Sequence, residues 1–188
     1  MSTRRLAGLV LLGVALAATL TACGGSAGQD DRTVPDTTAP SQQAPPSTMT
    51  VTSSAFQPGA PIPVRYTCKG DNVSPPLRWT APPSGTAELA LVVDDPDAPG
   101  GTFIHWVMTG IPASVTQLGE NTVPEGAREA REYTGPCPPG GPAHHYRFTV
   151  YALGRPAGVG QGADPQQAIA AIQAAATAQG RLVGTFAT

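Results

Sequence analysis

Proline and glycine recur too often along this chain for a helical fold. There are 22 Gly and 21 Pro among 188 residues, about 23% of the total. A proline removes an amide donor and clashes with the preceding helical turn, and an interior glycine costs a helix about 1 kcal/mol relative to alanine. A strong helix bundle is therefore excluded, and a small, loop-rich, β-rich fold remains. The length favours one domain over two. With 11 basic and 13 acidic residues the formal charge is −2, which offers no basic field to a nucleic acid. Three histidines in all leave no room for a large metal centre.

The N-terminus reads as an address. Arg4 and Arg5 precede an uncharged, mostly apolar run from Leu6 to Ala22, the pattern of a secretory signal peptide. Leu20-Thr21-Ala22-Cys23 resembles the bacterial lipobox, whose cysteine is acylated and becomes the mature N-terminus. An uncleaved signal anchor is the alternative, because the apolar run reaches the lower edge of a spanning helix. The small residues leading into Cys23 favour cleavage, with 1–22 as the signal peptide and Cys23 as the lipidated residue. Each buried CH₂ contributes about 0.8 kcal/mol, so several acyl chains of palmitate type on one cysteine hold where a single chain would not. The expected location is the extracytoplasmic face of the cell membrane.

Without its first 22 residues the chain carries 9 basic and 13 acidic residues, a net of −4. An anionic domain does not lie flat on an anionic bilayer and needs a spacer. Residues 24–48 have no aromatic residue and four hydrophobic ones, too little apolar surface to offset the entropy of ordering. The segment 23–48 is thus the lipidated cysteine and a disordered tether, with a glycosylated or partner-binding stalk as the other reading.

Residues 49–188 are long enough for one core. Met49 to Phe56 reads as an opening strand, and Ile62 to Tyr66 as a second short one. Leu89 to Val93 is a continuous apolar run stopped by Asp94-Asp95-Pro96-Asp97, as expected of a strand buried on both faces. Phe103 to Ile111 is similar. Strict alternation puts Phe103, Val107 and Ile111 on one face and Ile104, Trp106 and Met108 on the other. Tyr146 to Leu153 is aromatic and β-branched, a third strong strand. One helix is convincing. Asp164 suits its N-cap, Pro165 its first position, Ile169 and Ile172 share a face, and Gly180 stands just past its end. Leu182 to Phe186 reads as a closing strand.

Polar residues collect at the ends of the central strands. His105 sits in a nearly apolar strand and must find a partner, with Asp95 or Asp97 the economical candidates. The plainer alternative is a histidine satisfied locally beside an Asp-Pro-Asp turn. In the third strand His144 and Tyr146 share the face of Phe148 and Val150, so they point inward, while His145 and Arg147 face solvent. The preceding stretch, Tyr133 to Pro142, is a stiff Pro- and Gly-rich loop that lets a ligand approach the backbone. Imidazole and hydroxyl donors gathered there suit an anion such as phosphate.

Taken in order, DPDAP (95–99), His105-Trp106, GPCPP (135–139) and HHYRFTVYAL (144–153) resemble the phosphatidylethanolamine-binding protein family, and most nearly its bacterial Raf-kinase-inhibitor-like branch. YTCKGDNVSPPLRW (66–79) and LVGTF (182–186) are similar to the same branch. The resemblance implies a mainly β fold, a β-sandwich of antiparallel sheets with one or two short peripheral helices. It also implies a small cleft for phosphate-like anions lined by Asp95, Asp97, His105, Gly135, Pro136, His144 and Tyr146. Two departures stand out. PEGAREAREYTG (124–135) is shorter and more charged than the family's usual loop, and His144-His145 stands where His-Arg is commoner.

With Cys23 assigned to lipid, Cys68 and Cys137 are an even pair in an oxidising compartment. A bridge would fasten the YTCKG loop to the GPCPP loop, and two free thiols are the alternative. The expected function is a lipid-anchored binding protein for a phosphate-like anion or phospholipid headgroup, without cofactor. An inhibitor or scaffold acting on a protein partner is a further possibility that the resemblance implies. The alternative in another class is a hydrolase with His105 or His144 as base and an Asp as orienter. No G-x-S-x-G motif occurs in residues 49–188 to support it. A metal site of His105, His144 and an Asp is disfavoured, since His144 and His145 point oppositely and no zinc-like ligand spacing occurs.

Overall fold

The computed structural model describes residues 47–188. In chain order its elements are β1 (Ser47–Thr48), β2 (Val51–Thr52), a 3-10 turn (Val64–Tyr66), β3 (Leu77–Trp79), β4 (Glu88–Asp95) and β5 (Phe103–Ile111). There follow β6 (Gln117–Leu118), β7 (Arg128–Arg131), β8 (His144–Leu153), α1 (Pro165–Ala175) and β9 (Ala176–Phe186). Six strands form one sheet in the order β1-β9-β8-β4-β5-β7, antiparallel except where β1 runs parallel to β9. The other three form a small antiparallel sheet, β2-β3-β6.

The large sheet is covered on both faces, which is why β4 and β8 read as apolar runs. One face, carrying Leu89, Leu91, Val93, Phe148 and Val150, packs with Val51, Leu77, Trp79 and Leu118 of the small sheet. The opposite face, with Ala90, Val92, Tyr151 and Leu153, packs under Ala168, Ile172 and Ala175 of α1. Asp164 caps that helix, its carboxylate accepting from the Gln167 amide at 2.9 Å, and Pro165 opens it as expected. Among the described residues no helix is long and apolar enough to cross a membrane.

Several elements differ from their sequence reading. The opening strand pairs only at Val51 and Thr52, because the Ser53 hydroxyl bonds to the Pro76 carbonyl and the Ala55 amide and turns the backbone away. Ile62 to Tyr66 is no strand. Pro61 and Pro63 lack amide donors; Pro61, just before the segment, makes an isolated bridge to Thr185, and the chain then enters the 3-10 turn. The closing strand starts at Ala176, so Gly180 lies inside it rather than beyond the helix. A side chain at Gly180 would collide with the Met49 carbonyl, and that close approach requires the glycine. The charged segment after Pro124 contains β7, an edge strand whose arginines and glutamate discourage further pairing. Ser47 and Thr48, read as tether, pair with Ala178 and Gln179. The signal peptide, Cys23 and the rest of the tether lie outside the described residues.

The faces of β5 also depart from simple alternation. Val93 pairs with Trp106 and Asp94 with Ile104, so His105 is an extra residue in a bulge; a second bulge lies between Met108 and Ile111. Trp106, Met108 and Ile111 consequently join the core under the small sheet, and Ile104 and Val107 the core under α1. A bulge inserts one residue and re-aims the side chains around it.

Candidate functional site

A cavity of about 240 Å³ opens where β4 ends and β5 and β8 begin. Asp95, His105, His144 and Tyr146 line it together with Ala98, Pro99, Phe103 and the segments Thr134–Gly135 and Cys137–Pro139. Asp95, His144 and Tyr146 are placed there by strict alternation, which sends the even residues of β8 and the odd residues of β4 to one face. His105 comes in at the bulge, with its ring 5.2 Å from that of Tyr146 in an edge contact.

The polar pairing differs from expectation. Asp95 is the partner of His144, whose Nδ1 donates to Oδ2 at 2.7 Å, and not of His105. His105 is satisfied locally, Nδ1 donating to the Thr134 carbonyl at 2.6 Å, because the bulge turns it toward that loop rather than toward β4. Since a carbonyl only accepts, the Nδ1 proton is fixed and Nε2 is the remaining polar atom of the ring. Burial holds the His105 pKa below its ordinary value; the Thr134 bond and the Asp95 charge oppose this, and Arg131 adds to the lowering.

Tyr146 has no exposed surface, and its hydroxyl has no hydrogen-bond partner among the described residues. Its pKa is raised, first by burial and then by the charge and proximity of the Asp95 carboxylate, which lies near the hydroxyl but outside hydrogen-bonding geometry. A buried, unpaired hydroxyl costs about 1–3 kcal/mol, and native proteins rarely keep one without a use.

Five of the seven expected site residues thus meet at the cavity: Asp95, His105, Gly135, His144 and Tyr146. Asp97 does not line it. Its carboxylate turns outward to accept from the His145 amide at 2.8 Å and from His145 Nδ1 at 2.7 Å, which lowers its pKa. Its own amide donates to Asp95 Oδ1 at 2.8 Å, so it positions Asp95. Pro136 is likewise absent from the lining; its carbonyl accepts from the Cys68 amide. His145 is exposed as expected, whereas Arg147 is partly buried against Asp94. Thr134, Pro138 and Pro139 line the cavity as part of the Tyr133–Pro142 loop, as expected, whereas Ala98, Pro99 and Phe103 are lining residues the sequence reading does not name. The apolar run that starts at Phe103 and the Pro-rich turn before it are visible in the sequence, but no local signal says that they face the Tyr133–Pro142 loop.

The Gly135 wall is built by close contact. A Cβ there would lie 2.7 Å from the Tyr66 carbonyl oxygen and 2.9 Å from Thr67 Cα. The Gly135 amide donates to the Asn72 side chain at 2.8 Å, and the Tyr133 hydroxyl to the Tyr66 carbonyl at 2.8 Å. Cys68 and Cys137 form a disulfide with Cα atoms 5.4 Å apart, joining the same two loops. Among the described residues no cluster of three or more His, Cys, Asp or Glu side chains could hold a metal ion.

Two stacked sheets, one peripheral helix and a small, mostly apolar cavity with imidazoles and a tyrosine at its floor define a β-sandwich domain of the phosphatidylethanolamine-binding class. The family described as "Phosphatidylethanolamine-binding protein" matches residues 52–187, and the chain belongs to that family. It is 48% identical over 195 residues to "Putative lipoprotein LppC" of Mycobacterium tuberculosis, covering 95% of this chain and 94% of that protein. A UPF0098 protein of the same species is 42% identical over 192 residues, covering 95% and 92% of the two chains. The crystal structure of Escherichia coli YbcL, described as a new member of the mammalian PEBP family, superposes with a TM-score of 0.70 at 30% identity. That match covers 74% of this chain and 98% of YbcL.

Proposed function

We propose that this protein is a lipid-anchored, extracytoplasmic binding protein whose cavity takes a phosphate-like anion, free or as a phospholipid headgroup. The observation that carries the reading is the buried Tyr146 hydroxyl, a donor without a partner on the cavity floor beside two imidazoles. His105 and His144 each commit Nδ1 to a protein acceptor, so each has Nε2 left. An anion that keeps one proton can donate to one imidazole and accept from Tyr146, and protonation of either ring adds a further donor. The anchor reading rests on the basic start, the apolar run and Leu20-Thr21-Ala22-Cys23, and on the lipoprotein name of the 48% identical relative.

Titration calorimetry of the full chain with inorganic phosphate and with phosphoethanolamine tests the pocket. Binding by the wild type that is lost in His105→Ala and Asp95→Ala supports it; no binding by the wild type, or equal binding by both variants, rejects it. Metabolic labelling with a palmitate analogue tests the anchor, with loss of label in Cys23→Ser as the expected result.

Hydrolysis is the second reading, favoured by one observation: Asp95 orients His144 as a carboxylate orients a general base. Among the described residues the cavity offers no serine, and Cys137 is held in the disulfide, which leaves water or the Thr134 hydroxyl as nucleophile. Turnover of a phosphoester or ester panel, lost in His144→Ala, would favour this reading over pure binding.

A further inference from the structure

The cavity lining contains no lysine or arginine, while it does contain the Asp95 carboxylate. An anion entering it would meet no fixed positive charge on the walls. The nearby charged groups of β8 are already paired, Arg147 with Asp94 and His145 with Asp97. Arg131 on β7 is different. Among the described residues it makes no ion pair, and its buried Nε has no hydrogen-bond partner. Its guanidinium carbon lies 5.0 Å from the centre of the Phe103 ring, and Phe103 is 42% exposed and lines the cavity.

We propose that Arg131, although outside the lining, is the residue that selects anions for this cavity, holding its charge over Phe103 at the mouth. The inference rests on the anion-binding reading given above and adds a specificity residue to it. Three groups form a ladder from the mouth inward. The guanidinium stacks on Phe103 at 5.0 Å, and Phe103 meets His105 edge-on at 4.8 Å, so the charge lies within about 10 Å of the His105 ring. The aromatic face fixes the guanidinium without neutralising it, which a carboxylate partner would do. The same charge reaches the cavity in the unliganded protein, since it helps to depress His105. At about 10 Å, and at effective dielectric constants between those of a protein surface and water, one positive charge strengthens binding of a monoanion by roughly threefold to tenfold. Salt weakens an effect over such a distance, because the screening length is about 8 Å at physiological ionic strength.

The test compares wild type, Arg131→Gln and Arg131→Lys as full chains. Phosphate affinity is titrated at low and high salt, and the His105 pKa is followed by NMR without ligand. His105 is faced by Asp94 and Asp95 from β4, by His144 and Tyr146 from β8 and by Arg131 from β7, and only the last changes. Arg131→Gln is expected to weaken phosphate binding threefold to tenfold at low salt, to flatten the salt dependence and to raise the His105 pKa. Arg131→Lys should keep most of the affinity, which separates the charge from the packing of the long side chain. Equal low-salt affinities for wild type and Arg131→Gln, or an unmoved His105 pKa, overturns the proposal. If the wild type does not bind phosphate, the anion reading fails, and the His105 titration still decides whether the Arg131 charge acts on the cavity.

Discussion

Replacing Tyr146 by phenylalanine removes one oxygen atom from the cavity floor and leaves the ring in place. That ring is fully buried and packs edge-on against His105, so its apolar contacts survive the change. The wild-type hydroxyl is buried without a partner, a state that costs about 1–3 kcal/mol. Deleting it should stabilise the unliganded protein by about 1 kcal/mol once some relaxation is allowed for, and raise the melting temperature by about 3 °C for a domain of this size. The effect on binding has the opposite sign. A hydrogen bond to a charged acceptor contributes about 1.5–3 kcal/mol, so phosphate affinity should fall by at least about tenfold. Thermal unfolding and calorimetric titration on the same preparation measure the two changes. A more stable protein that binds worse is the signature of a polar group kept for a ligand. A melting temperature lowered by more than about 3 °C would show that the hydroxyl is satisfied in the free protein. An affinity within twofold of wild type would show that it does not touch the ligand, and either result refutes the reasoning.

Three further outcomes follow from the geometry. The folded His105 pKa lies below the ordinary value of 6.5, so its contribution to stability is fully present above about pH 6.5 and is lost as pH falls through the folded value. Urea midpoints should therefore drop between pH 7.5 and 5.5 and drop less in His105→Phe, while phosphate should oppose the drop by favouring the protonated ring. The disulfide joins cysteines 69 residues apart, and replacing both by alanine should cost about 4 kcal/mol by the loss of loop-closure entropy. Urea unfolding measures that loss, which should appear in the midpoint. Gly135→Ala places a methyl group 2.7 Å from the Tyr66 carbonyl oxygen and should destabilise by about 1–3 kcal/mol, measured the same way, while weakening phosphate binding through the displaced wall.

Much of the frame was legible because some strands advertise their own environment. β4 and β8 are sandwiched between the small sheet and α1, and a strand buried on both faces must be apolar throughout. The helix start was equally local, since Asp164 and Pro165 act within one turn. β9 was half hidden. Its Ala-Thr-Ala-Gln-Gly start has little strand propensity and is held by pairing with β8 over nearly its whole length. β3 and β6, three and two residues long, are too short to carry a period, and β7 is masked by its charges.

The site divides along the same line. Alternation along β8 brings forward His144 and Tyr146, because side-chain direction in a strand is a property of the strand itself. Asp95, His105 and Gly135 come forward through the motif order of the family resemblance. Which carboxylate serves which histidine was not decidable there. Asp95 takes His144 and Asp97 turns out to His145 across the unbroken pairing of β4 with β8, while His105 bonds a loop carbonyl because a bulge shifts β5 against β4. Arg131 shows the limit most clearly. It is 28 positions from Phe103 in the chain and 5.0 Å from its ring in space. The sequence by itself determined the strands, the family and the residue types at the cavity, since local propensity and burial period are written residue by residue. Register, partner choice and the reach of a distant charge were decided only in the tertiary structure, because each depends on where a second strand stops against the first.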